Sequence, residues 1–169
     1  VRSSAVSDVY KRQLFNHIIN GIPDWVYEEE FGFSRAFAWS PDGKNLAWMR
    51  FDESRVREYN MNRFEGDLYP ENYSFKYPKA GEQNSIVEVY NYNLESGRRS
   101  RIDTGKETDQ YIPRVKWTLA GGLFVYRLNR SQNHFELLLC DAAALAAGAG
   151  TDAGVVSLSL IHISEPTRL

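Results

Sequence analysis

Between Pro23 and Phe33 the chain reads PDWVYEEEFGF, which sets Glu28, Glu29 and Glu30 in a row between Trp25, Val26 and Tyr27 on one side and Phe31 and Phe33 on the other. Carboxylates this close repel one another, and a bound cation relieves the repulsion, so such a run suits an ammonium or guanidinium ligand. Each charge-assisted hydrogen bond to that ligand contributes on the order of 1.5–3 kcal/mol. A metal ion fits less well, because no histidine lies in the stretch and consecutive glutamates match no common ligand spacing. Acidic runs are also commonly plain solvated surface with some helix-dipole benefit, and the residues alone leave both readings open. Reactive chemistry is scarce elsewhere. No G-x-S-x-G nucleophile elbow occurs. His17 and His134 stand in strand- or loop-like contexts without Ser and Asp companions and read as ordinary polar positions. No cofactor is implied.

The glutamates need an element to aim them. Asn20-Gly21 is a turn dipeptide, and Asp24 is a good N-cap with Glu28 in the first turn behind it. A helix of at most two turns follows. That length is not stable alone, so packing of Trp25, Val26 and Phe31 must hold it. Neighbouring helical positions point about 100° apart, so two of the three carboxylates could converge on one cation and the third could not.

The remainder is built of strands. RAFAWSPDGKNLAWMRFD (35–52) reads as strand, turn and strand, with Pro41 and Gly43 supplying the turn chemistry. SIVEVYNYNLESGRRSRID (85–103) repeats the scheme around LESG, PRVKWTLAGGLFVYRLNR (113–130) repeats it around Gly121-Gly122, and FELLLCDA adds a further strand. Turn signals about every 8–12 residues argue an all-β fold. The first and third hairpins share an order of Trp, Ser or Thr, turn Gly, Leu and Arg, and their tryptophans, Trp39 and Trp117, lie 78 residues apart. That is one long or two short blades at roughly 40–50 residues per propeller blade. A partial β-propeller of roughly two to three blades, with one short helix carrying Glu28–Glu30, is the expectation; a sandwich would produce the same hairpins. CDAAALAAGAGTDAG (140–154) is small-residue, low-complexity sequence, read as a connecting loop or a drifting reading frame.

The two ends carry an unusual relation. DVYKRQ (8–13) written as GAT GTG TAT AAG AGA CAG has a reverse complement that translates as LSLIHI, the sequence of residues 158–163. Unrelated protein segments have no reason to be antisense translations of each other. The DNA resembles a transposase end used to tag sequencing libraries, so residues 1–13 and 158–169 are expected to be adapter-derived and 14–157 to be a piece of a partial propeller. Setting aside Arg2, Asp8, Lys11, Arg12, Glu165 and Arg168 leaves 16 basic against 20 acidic residues, a net charge of −4. No basic block points to nucleic acid, and no apolar run reaches the roughly 18 residues that cross a bilayer. The single cysteine, Cys140, has no partner in the chain and does not report a redox compartment.

NGIPDWVYEEEFGFSRAFAWSPDGKNLAWMRFDES followed by YPKAGEQNSIVEVY resembles the N-terminal propeller of the dipeptidyl peptidase IV family, within the prolyl oligopeptidase group of serine peptidases. The resemblance covers most of residues 15–141. DWVYEEE and YPKAG (Tyr77–Gly81) are the specific parts, whereas WSPDG recurs in many propellers. It implies that Glu29 and Glu30 bind the free α-amino group of a peptide substrate, with Glu28 flanking. Holding the ammonium at a fixed distance from the nucleophile would act as a ruler that places the cut after the second residue, a positioning effect. An α-amino group has a pKa near 8, so that pairing should fade at alkaline pH. The resemblance also implies a C-terminal α/β-hydrolase domain in the same protein, carrying Ser, Asp and His beyond residue 157, a substrate-binding arginine before residue 14, a periplasmic, secreted or cell-surface location, and a homodimer of the parent. On this reading the piece itself is inactive.

Other features carry blander readings. Tyr69, Tyr73, Phe75 and Tyr77 alternate as a half-buried strand face would. Asn72-Tyr73-Ser74 and Asn129-Arg130-Ser131 are glycosylation sequons only in a secretory eukaryote. Arg114 and Arg130 are expected to form structural ion pairs. The alternatives to the peptidase reading are a non-catalytic TolB-like binding propeller and a prolyl tripeptidyl peptidase.

Overall fold

A computed structural model of the chain describes residues 17–66, 68–147 and 155–156; the two segments read as adapter-derived lie outside the described residues. In chain order the elements are β1 (Ile18–Asn20), α1 (Trp25–Phe31), β2 (Phe37–Trp39), β3 (Asn45–Asp52), β4 (Glu58–Arg63), β5 (Glu71–Lys76), β6 (Ile86–Asn93), β7 (Arg98–Ile102), β8 (Gln110–Trp117), β9 (Leu123–Asn129), β10 (Phe135–Cys140), α2 (Ala142–Ala147) and β11 (Val155–Val156). They form two antiparallel meanders, with β1 and β2 beside β3, then β6 and β7 in the first and β8 through β11 in the second, plus a separate hairpin of β4 and β5. Two blades of a partial β-propeller are therefore described, as the strand pattern predicts. The repeat between Trp39 and Trp117 is one long blade: each tryptophan stands in the first four-strand-meander strand of its sheet, and α1 and the β4–β5 hairpin are additions within or beside the first.

Alternation along β3 and β6 sorts the side chains. Ala47, Met49, Phe51, Val87 and Val89 are buried, while Trp48, Arg50, Glu88 and Tyr90 occupy the opposite face, where Trp48 stacks on Tyr90 at 5.3 Å. Leu123, Val125, Leu138 and Cys140 line the core from the second sheet. Trp117 ties the blades together through its indole N–H, which donates to the Ala38 carbonyl of β2 at 2.9 Å. Burial, with Asp103 nearby, raises the Cys140 thiol to about 11, so it is an inert core side chain.

Two expectations need correction. In the alanine-rich tail, residues 141–147 are not connecting loop: Asp141 caps a second helix, α2, through a 2.7 Å bond from the Ala143 N–H, and Leu145 from that helix is buried in the core, while 148–154 lie outside the described residues. Nor is the aromatic alternation at 69–77 a uniformly half-buried face. Tyr69 lies before β5 and is exposed, and Tyr73 is exposed within it; only Phe75 and Tyr77 are partly covered, because the hairpin projects from the sheets and meets α1 only at one end.

Candidate functional site

The helix carrying the glutamates interrupts a strand. β1 pairs with β3 from Ile18–Asp52 to Asn20–Arg50, and β2 continues along the same edge from Phe37–Trp48 to Trp39–Leu46. Met49 spans the break: its carbonyl accepts from the Gly21 N–H at 3.0 Å and its N–H donates to the Ala36 carbonyl at 2.8 Å. The excursion is closed at its base by the Ala36 N–H donating to the Gly21 carbonyl at 3.0 Å. Gly21 turns the chain out of the strand at φ +73°, a left-handed conformation that glycine adopts without penalty.

Contacts along its length then fix α1. Asp24 caps the N-terminus as predicted, with Oδ1 accepting from the Tyr27 N–H at 2.9 Å, and its Oδ2 accepts from the Ser85 hydroxyl at the start of β6. Tyr27 is buried, and its hydroxyl accepts the Ile112 N–H of β8 at 3.0 Å. The Arg114 guanidinium donates to the Phe31 carbonyl at 2.7 Å and lies 4.9 Å from the centre of the Phe33 ring. Trp25 packs edge-on against Tyr77 of the β4–β5 hairpin at 4.6 Å. Gly32 ends the helix in the left-handed conformation, donating to the Glu28 carbonyl.

With Tyr27 and Phe31 facing inward, helical geometry points Glu29 directly away from the core and sets Glu28 and Glu30 on its two flanks. All three are exposed, and among the described residues the side chains of Glu29 and Glu30 form no hydrogen bond or ion pair. The predicted pair is therefore presented outward on an anchored helix, with its carboxylates about 100° apart around the axis. Beneath it lie two buried acids, the N-cap Asp24 and Glu53, of which sequence reasoning singled out only the first. Burial holds the Asp24 carboxyl above its ordinary value, against the lowering effect of its hydrogen bonds from Ser85, Tyr27 and Val26. Burial, with the nearby Asp24 charge, raises Glu53 to about 7, and Lys76 opposes the shift. Among the described residues no cluster of three or more His, Cys, Asp or Glu is placed to hold a metal ion. His17 offers its carbonyl to the Glu53 N–H, and the His134 Nε2 sits 3.4 Å from Glu136.

Arg130 forms the expected ion pair, with Asp109 at 3.6 Å. Among the described residues Arg114 does not; its bonds go to the carbonyls of Phe31 and Pro113. The sequence does not specify these partners, because one lies more than 80 residues away and both are backbone atoms. One signal was present in the sequence. Pro113 inside an apolar strand marks a bulge, and the β8–β9 register does shift between Tyr111 and Arg114, which frees the Ile112 N–H for Tyr27.

The comparisons with known proteins agree with this architecture. The family described as dipeptidyl peptidase IV (DPP IV) N-terminal region matches residues 7–156. The chain is 41% identical over 130 residues to inactive dipeptidyl peptidase 10 of Mus musculus, covering 74% of this chain and 16% of that protein. To dipeptidyl aminopeptidase B of Saccharomyces cerevisiae it is 38% identical over 134 residues, covering 75% of this chain and 16% of that protein. The crystal structure of Porphyromonas gingivalis dipeptidyl peptidase 4 superposes with a TM-score of 0.72 at 45% identity, over 78% of this chain and 19% of that one. The chain thus spans about a sixth of the length of the curated relatives it matches. With two propeller blades, an acidic helix inserted in the edge strand of the first, and a family match over most of its length, the chain belongs to the dipeptidyl peptidase IV N-terminal region family.

Proposed function

We propose that this chain is the part of a dipeptidyl-peptidase-IV-like serine exopeptidase that recognises the free α-amino group of a peptide substrate and helps gate the cavity in which the peptide is cut. The observation that carries the reading is the pair Glu29 and Glu30, exposed and without a hydrogen-bonding or ionic partner among the described residues, on a helix tied to two blades. Side chains that serve only as surface do not require so many long-range anchors beneath them. Two acceptors on a fixed helix bind an ammonium and, by holding the peptide's first residue, set which bond reaches the nucleophile. The nucleophile and its Asp and His partners belong to a C-terminal hydrolase domain of the same protein. Phe37, Trp39, Leu46, Trp48 and Tyr92 form an apolar outer face on the first sheet, where a preceding blade packs.

The test uses the complete protein. Glu29→Gln and Glu30→Gln, made separately, are expected to raise KM for a proline-containing chromogenic dipeptide by about tenfold or more, each removing a charge-assisted bond. Unchanged KM in both variants refutes amine anchoring. Release of tripeptides in place of dipeptides would assign the parent to the tripeptidyl alternative. A second reading has one observation in its favour: the mouse relative at 41% identity is named an inactive dipeptidyl peptidase. In that reading the parent lacks the nucleophile and the glutamates bind a partner's basic group. Sequencing outward from residue 157 separates the two, since a G-x-S-x-G elbow is required by the first and absent from the second.

A further inference from the structure

The glutamates are presented at one face of α1, but their direction is set on another. The last carbonyls of a helix have no partner within it, and in α1 the Phe31 carbonyl is taken by Arg114, which also donates to Pro113 at 3.0 Å and covers the Phe33 ring. A cation there also complements the negative end of the helix dipole. Four residues earlier, Tyr27 is held by the Ile112 N–H. Both contacts issue from one short piece of β8, the bulge between Tyr111 and Arg114. That piece belongs to the second blade, whereas α1 grows out of the first. The angle of the helix is therefore a property of the two blades together.

The geometry points to Arg114 as a positioning residue: by gripping the C-terminal carbonyl of α1 from the β8 bulge, it fixes where Glu29 and Glu30 stand and hence how tightly a ligand's free ammonium is held. This inference rests on the amine-anchoring reading above. It distinguishes Arg114 from a generic core contact, because only ligands that reach the glutamates should sense its loss. A displacement of about 1 Å in a positioning group can cost as much as 100-fold.

The experiment compares two competitive inhibitors of the complete protein, a prolyl dipeptide with a free amino group and its des-amino analogue. Arg114→Met is expected to weaken the amine-bearing inhibitor about 10- to 100-fold, to leave the des-amino compound within about twofold, and to raise KM for the chromogenic dipeptide with little change in kcat. Arg114→Lys, which keeps one donor for the Phe31 carbonyl but loses the fork, is expected to recover most of the difference. Equal weakening of both inhibitors overturns the inference, since it marks a general structural role. So does the absence of any change in Arg114→Met while Glu30→Gln still weakens the amine-bearing inhibitor. If Glu29→Gln and Glu30→Gln are themselves without effect, amine anchoring fails and the inference falls with it. If Arg114→Met does not fold, Arg114→Gln and Tyr27→Phe decide: each should weaken the amine-bearing inhibitor selectively, and equal or no weakening overturns the inference.

Discussion

Glu53 is the residue whose titration should be most visible in stability. It follows β3, is 4% exposed, and is raised to about 7 from an ordinary 4.5, first by burial and then by the charge of Asp24. A carboxyl whose folded value is raised binds a proton more tightly in the folded than in the unfolded protein. Its contribution is therefore favourable below about pH 4.5 and is lost as pH rises toward and through 7. A shift from 4.5 to about 7, at about 1.4 kcal/mol per unit, corresponds to roughly 3 kcal/mol of stability removed by pH 8. Asp24 is shifted in the same direction by burial, which steepens the fall. Glu53→Gln keeps the shape and removes the charge. Urea denaturation of wild type and Glu53→Gln across pH 4.5 to 8 should give a difference near zero at the acid end that grows to about 3 kcal/mol in the variant's favour at the alkaline end. A difference that is constant with pH, or that favours wild type at pH 8, would refute the assignment of a desolvated carboxyl beneath α1.

Tyr27→Phe should cost about 1–3 kcal/mol, because it leaves the buried Ile112 N–H without its acceptor; urea denaturation reads it, and a neutral result would mean the N–H finds another partner. Gly21→Ala should cost about 1–2 kcal/mol through the left-handed conformation rather than a clash, since an added Cβ would lie 3.6 Å from Phe37, an ordinary contact. Residues 14–157 produced alone should self-associate through the aromatic face of the first sheet, where Trp39 is 51% exposed, and through open strand edges; a monomeric, cooperatively melting preparation by light scattering and calorimetry would contradict the incomplete-propeller reading.

Local pattern made much of this fold legible. The Asp24 cap, the seven-residue helix and the three hairpins around SPDG, LESG and Gly121-Gly122 all rest on residues close together in the chain, where propensity and turn chemistry act directly. The candidate site's carboxylates are legible for the same reason, because three adjacent glutamates are a one-dimensional signal. Their support is not. Ser85, Ile112 and Arg114 meet α1 across 61 to 85 residues, and two of those contacts use backbone atoms that no side-chain motif announces. That β1 and β2 are two halves of one edge strand depends on Arg50–Asp52 pairing back to Ile18–Asn20, which the spacing of the residues does not specify. The second helix is a different case: Asp141 before a run of alanines is a cap and a strong helix former, and the signal was masked by the low complexity around it.

The interrupted strand has a consequence for how such a domain can change. Because the ladder along β3 resumes in step after residues 22–35, and because Gly21 and Ala36 are already bonded to each other, the blade's pairing does not depend on what hangs between them. A shorter or chemically different loop could replace the acidic helix without shifting a single cross-strand partner. The acidic helix is in that sense a graft on the blade, free to diversify while the sheet beneath it stays in register.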